Sequence, residues 1–116
     1  MRLVDLDPKL LRYELNGEVV THRLVGSLAE AQGVRFLCPK CFAANGGKVG
    51  THAVVCWSSS RGVPEDARPG PGRWTLEGTS LADLTLGSEP GKSRSVALQG
   101  GCMWHGYVTQ GEVTNA

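Results

Sequence analysis

Phe36-Leu37-Cys38-Pro39-Lys40-Cys41-Phe42 sets two cysteines two residues apart around a proline, between two aromatic residues. A tight turn of this kind brings both sulfurs to one point, which is how a tetrahedral metal site collects half of its ligands. About sixty residues on, Gly101-Cys102-Met103-Trp104-His105-Gly106 offers a second such turn, Cys-x2-His between glycines. The spacings favour Cys38, Cys41, Cys102 and His105 as one Cys3His set holding a structural zinc ion. Such an ion contributes folding energy, which matters in a small, glycine-rich chain.

Four cysteines and three histidines leave alternatives for the second pair. His52 and Cys56 follow the first turn as Cys-x2-Cys-x10-His-x3-Cys. If Val54-Val55 lies in a strand, four rises put His52 and Cys56 about 13 Å apart, too far for a straight strand to bring both to one ion. Either remains available singly. In the favoured set Cys56 is a buried small hydrophobe and His22 an ordinary strand residue. A redox role for the Cys-x-x-Cys pair requires a helix N-terminus in a βαβ context, and Asn45-Gly46-Gly47 follows too closely for a substantial helix.

Working outward, 116 residues imply one domain over 1–116, and sixteen glycines with six prolines imply turns at the expense of helix. The expected fold is mainly β: a single zinc-ribbon-like antiparallel domain with long loops and at most one short helix. Asn16-Gly17 between Leu10–Leu15 and Glu18–Val25 predicts an opening hairpin. Ser27–Gln32 carries a capping pattern that predicts one or two helical turns. Strands are expected at Val34–Leu37, His52–Trp57, Trp74–Leu76 and Leu81–Leu86, while Ser95–Gln99 leads into the second cysteine turn and Tyr107–Val113 leads out of it.

Residues 58–73 contain almost nothing to bury and predict a long flexible surface loop. Arg61, Arg68 and Arg73 on that loop, with Trp104 expected to be partly exposed in its turn, are the candidate partner-binding residues. Lys92 and Arg94 extend the same basic rim. A net charge of +1 provides no global field for nucleic acid. The two acids in Met1–Asp7 do not suit a secretory leader, and no apolar run reaches the roughly 18 residues of a membrane span. A cytoplasmic protein is the expectation, in a host bacterium if phage-encoded.

Catalytic motifs are weak. Gly91-Lys92-Ser93 lacks the glycine that a phosphate loop needs five places earlier, where Leu86 stands. Asp83 is a candidate general base only if the metal keeps an open position.

The blocks Ala31–Cys41, Leu81–Leu86 and Gly101–Val113 resemble those of a family of small, uncharacterised phage and prophage zinc-binding proteins. The resemblance covers roughly residues 28–114, and its specific part is the ligand blocks. It implies a zinc-binding protein of phage type, supports pairing Cys102 and His105 with the first turn, and brings no established activity. The expected function is protein–protein interaction with a host or phage protein, possible targets being host defence or transcription machinery. A nucleic-acid-binding zinc ribbon and a small zinc hydrolase are the alternatives.

Overall fold

The computed structural model describes residues 1–116. The chain is mainly β, as its composition implies, and every strand pair is antiparallel. Strands β1 (Lys9–Asn16), β2 (Val19–Val25), β3 (Gly33–Leu37) and β4 (Ala53–Trp57) form a sheet of order β2-β1-β3-β4. Strands β5 (Thr75–Glu77) and β6 (Thr85–Gly87) form a second sheet. Strands β7 (Val96–Ala97), β8 (His105–Thr109) and β9 (Glu112–Asn115) form a third. No helix is long and apolar enough to cross a membrane.

The opening hairpin forms one residue out of the expected place. Asn16 pairs with Val19, so the two-residue loop is Gly17-Glu18. Gly17 takes the first loop position with φ of 64°, a conformation that a side chain disfavours and that primed hairpin turns demand. Ser27–Gln32 makes two overlapping hydrogen-bonded turns and no regular helix, Glu30 donating to the Ser27 carbonyl and Ala31 to that of Leu28, with Ser27 Oγ donating to the Glu30 carboxylate. Leu81-Ala82-Asp83 turns as well, and the strand expected over 81–86 begins at Thr85. Here Asp83 accepts from the amides of Thr79 and Ser80, which stabilises the turn over an extended chain.

Alternation along the first sheet divides its residues between two faces. Leu10, Val34, Phe36, Val54 and Cys56 point to one face and join Leu3, Leu6, Leu28, Leu76, Leu84, Leu86, Val96, Trp104, Val108 and Val113 in a continuous core. The second and third sheets therefore cover this face. Leu11 and Trp57 point to the other face, where Val63 and Ala67 bury them.

Those two covering residues correct the reading of 58–73 as a loop without core. The segment is pinned at both ends. The Arg61 guanidinium donates to the carbonyls of Leu28, Ala31 and Leu76, and that of Arg73 to Pro64, Glu65, Ala67, Pro69 and Gly72. Trp57 Nε1 donates to the Arg68 carbonyl at 2.8 Å.

Trp57 lies against β3 where Gly33 has no side chain. A Cβ at residue 33 would meet Trp57 Cε3 at 2.5 Å and the Cys56 carbonyl oxygen at 2.8 Å. Gly33→Ala is expected to destabilise the fold by about 1–3 kcal/mol through overpacking, read as a lowered Tm; an unchanged Tm would contradict this packing.

Candidate metal centre

The end of the β3–β4 ladder sets the site. The register runs from Gly33↔Trp57 to Leu37↔Ala53, and one step further the Cys38 amide donates to the His52 carbonyl at 2.9 Å. Val34, Phe36 and Cys38 share a face by alternation, as do Cys56, Val54 and His52. Cys38 and His52 thus meet side by side on the core face at the sheet's end.

From Cys38 the chain enters helix α1 (Pro39–Asn45), with Pro39 at its first position and Gly46 closing it. The helix is short, closed where Asn45-Gly46-Gly47 follows, with proline favoured at its first residue and glycine just past its last. Its first turn carries Cys41 back toward Cys38.

The remaining donor comes from the loop joining β7 to β8. Met103 donates to the Gly100 carbonyl and Leu98 to that of Trp104, closing a turn with Cys102 near its tip. Cys102 Sγ lies 3.5 Å from Cys38 Sγ and 3.4 Å from His52 Nε2. Lys40 Nζ donates to the Cys102 carbonyl at 2.7 Å and fixes the loop to the helix. The donor atoms of Cys38, Cys41, His52 and Cys102 all lie within 4.8 Å of one another, so these four side chains can hold a metal ion.

The structure therefore brings Cys38, Cys41 and Cys102 together and completes the group with His52, while His105 stands outside it. The second turn ends too early for the Cys-x2-His reading. By residue 105 the chain is already in β8, paired with Ala97, and alternation sends Trp104 and Gly106 inward and His105 outward. His105 lies beside the Tyr107 ring, 6.3 Å between centroids. Cys56 is fully buried and separate from the group, as the strand-rise argument required of a residue four positions from His52.

The thiols differ in ionisation. The contact with His52 draws Cys102 down to about 6, assisted by the Trp104 amide. Desolvation pushes Cys38 up to about 11, against the pull of the Cys41 and Lys40 amides at the helix start. Cys41 is also raised, first by desolvation and then by the Cys102 side chain, and burial alone raises Cys56 strongly. A nucleophilic redox pair needs the opposite arrangement, a lowered thiol within the Cys-x-x-Cys turn. No βαβ unit surrounds it here.

The expected partner-binding residues are mostly used inside the molecule. Arg61 and Arg73 are spent on backbone carbonyls, and Arg94 donates to Leu86 and Val108 and lies over the Tyr107 ring. Arg68 is exposed. Trp104, expected to be partly exposed, is buried edge-on against Phe36, with Nε1 donating to Asn115 Oδ1 at 2.9 Å. Asp83, the candidate base, is held ionised by the Ser80 and Thr79 groups and belongs to its own turn, not to the cysteine group.

The fold and site define a mainly β protein with a three-cysteine, one-histidine group able to hold a metal ion. None of the family models, curated proteins or solved structures compared with this chain matches it.

Metal-free protein held folded with trimethylamine N-oxide is expected to alkylate first at Cys102. The sign follows from a lowered thiol: the thiolate is present above about 6 and lost as pH falls through it, so the rate should drop between pH 7 and 5. Mass spectrometry should find Cys56 modified last; equal rates at all four cysteines would refute the assignment.

Proposed function

We propose that this chain is a small zinc-binding interaction protein whose metal is structural. One observation carries the reading: four donor atoms, three sulfurs and an imidazole nitrogen, gathered within 4.8 Å. Three thiolates and one imidazole suit zinc. Zinc–sulfur bonds of about 2.3 Å and zinc–nitrogen bonds of about 2.0 Å place the donors of a tetrahedron roughly 3.5–3.8 Å apart. The separations of 3.5 Å and 3.4 Å need only a small adjustment to meet that figure.

Four protein ligands fill a tetrahedral ion, which favours a closed structural site over one that activates water. His52 is then a ligand and Asp83 a turn residue, so neither is left to serve hydrolysis. Three thiolates and a divalent ion leave one negative charge, and Lys40 stands beside it. The nucleic-acid reading loses support because Arg61, Arg73 and Arg94 are engaged by the chain's own carbonyls and ring.

What remains for a partner is the surface around the metal. A depression beside it is lined by Pro39, Lys40, Ala43, Met103, Trp104 and His105, with Trp104 in its floor and Met103 60% exposed on its rim. An exposed methionine over an aromatic floor suits an apolar side chain of a partner protein. The resemblance to phage and prophage proteins makes a host or phage protein the partner sought, with host defence or transcription machinery as targets.

Purified protein is expected to contain one zinc per chain by elemental analysis and to lose its cooperative thermal transition on chelation. His52→Ala and Cys102→Ser should each weaken zinc binding by roughly 100-fold or more, beyond the usual cost of losing an outer-shell contact, whereas His105→Ala should retain the metal. Loss of zinc in His105→Ala with retention in His52→Ala would reverse the assignment.

Capture from a bacterial lysate should be abolished by Met103→Glu in protein that still holds zinc. Tight, salt-sensitive binding of single-stranded DNA would favour the nucleic-acid reading instead.

A further inference from the structure

The first sheet ends in an open strand. Strand β4 is partly covered, since Trp74 donates its amide to the Trp57 carbonyl beside it. Strand β2 has no neighbour on its outer side. Exposed edges are commonly blunted by lysine, proline or a bulge. Val19-Val20-Thr21-His22-Arg23-Leu24-Val25 has no lysine or proline and pairs with β1 without interruption. Its one formal charge, Arg23, is matched by Glu14 on the same hairpin.

The side chains along this edge are apolar where the chain meets water. Val19 is 61% exposed, Val20 46% and Leu24 54%, and Leu15, opposite Val20, is 59% exposed. Beyond Leu11 the hairpin extends past its ladder with β3, with Tyr13 and His22 edge-on against Trp57 and the tip residues Leu15, Val19 and Val20 left exposed.

Backbone parity fixes which groups are free. The Leu11 carbonyl accepts from Gln32 and the Tyr13 amide donates to the Gln32 side chain, so odd residues of β1 face β3. Even residues of β1 face β2, where Leu10, Arg12, Glu14 and Asn16 pair with Val25, Arg23, Thr21 and Val19. The outward amides and carbonyls of β2 therefore belong to Val20, His22 and Leu24.

The strand also reads the same in both directions: two apolar residues, three polar ones, two apolar ones. An antiparallel copy centred on His22 sets Val20 against Leu24 and Val19 against Val25, while Thr21 meets Arg23. Val20, His22 and Leu24 are also the residues whose outward groups must exchange hydrogen bonds. This is the self-complementary pattern that a two-fold contact requires, in which residue i meets j and j meets i.

We infer that the chain forms a two-fold dimer by antiparallel pairing of β2 with β2 of a second copy, centred on His22. The two four-stranded sheets become one continuous sheet. The open groove bordered by Val20, His22 and residues 65–71 flanks the new contact and leaves room for the second copy's side chains. This inference is independent of the metal, whose ligands lie elsewhere.

Sedimentation equilibrium of the metal-loaded full chain tests it. The wild type should show a concentration-dependent dimer. Val20→Lys and Leu24→Glu, both at exposed positions and so expected to leave the circular dichroism spectrum unchanged, should each raise the dissociation constant at least roughly tenfold. Mixing the two variants should restore dimer, because the lysine introduced in one chain then faces the glutamate introduced in the other across one half of the contact. A wild type that stays monomeric overturns the inference and leaves the edge to a strand from another protein. Association unaffected by either substitution overturns it in favour of a different interface, and failure of the mixture to recover overturns the His22-centred register.

Discussion

One hydrogen bond, from the Cys38 amide to the His52 carbonyl, sets the geometry of the site. It extends the β3–β4 register one step past Leu37↔Ala53 and puts a sulfur and an imidazole on the same face. A slip of one residue would turn His52 to the opposite face and take it away from the three sulfurs. The slip is resisted by the same alternation that buries Val34, Phe36, Val54 and Cys56, so the core of the first sheet fixes His52 at its end. Site and core are here one constraint, expressed at successive positions of two strands.

The fold class was legible in the chain because glycine, proline and β-branched residues decide it locally. The first turn was legible too, since Cys-x-x-Cys is a short-range pattern. The histidine was not. Comparing Cys-x2-His with His-x3-Cys weighs spacing along the chain, whereas the choice between His52 and His105 is made by register between strands. The signal was present in weak form: pairing Val34–Leu37 with Ala53–Trp57 so that Phe36 meets Val54 also brings Cys38 to His52. Residues 58–73 are a loop, as read, but their share of the core was missed for a similar reason, because Val63 and Ala67 look isolated in sequence and become core only beside Leu11 and Trp57.

Arginine has an unusual share of the work in this molecule. Short strands and long connections leave many carbonyls without a ladder partner, and buried carbonyls must be satisfied. Arg61, Arg73 and Arg94 supply several planar donors each and reach across loops where no backbone amide is in place. Arg73 Nε is the one buried side-chain nitrogen without a partner. A basic loop thus reads in sequence as a surface for anions and serves in the fold as internal scaffolding, which leaves the rim of the cysteine–histidine group and the β2 edge as surfaces these arginines do not occupy.

Cys38 and Cys102 are sixty-four positions apart, and strand β7, which leads to the Cys102 loop, has only two residues. Closing a loop of that length costs roughly 4 kcal/mol beyond a constant, by the logarithmic dependence on loop length. The binding free energy of a structural zinc ion, about 10–16 kcal/mol in small metal-dependent domains, is several times larger. An ion at these four ligands would therefore hold the third sheet against the first even where the short β7–β8 ladder contributes little. The core cluster that also joins those sheets makes the same connection through Phe36 and Trp104, immediately behind the ligands. Metal and core would act on one joint, so the loss of either should loosen the same boundary between the sheets and not a distant part of the fold.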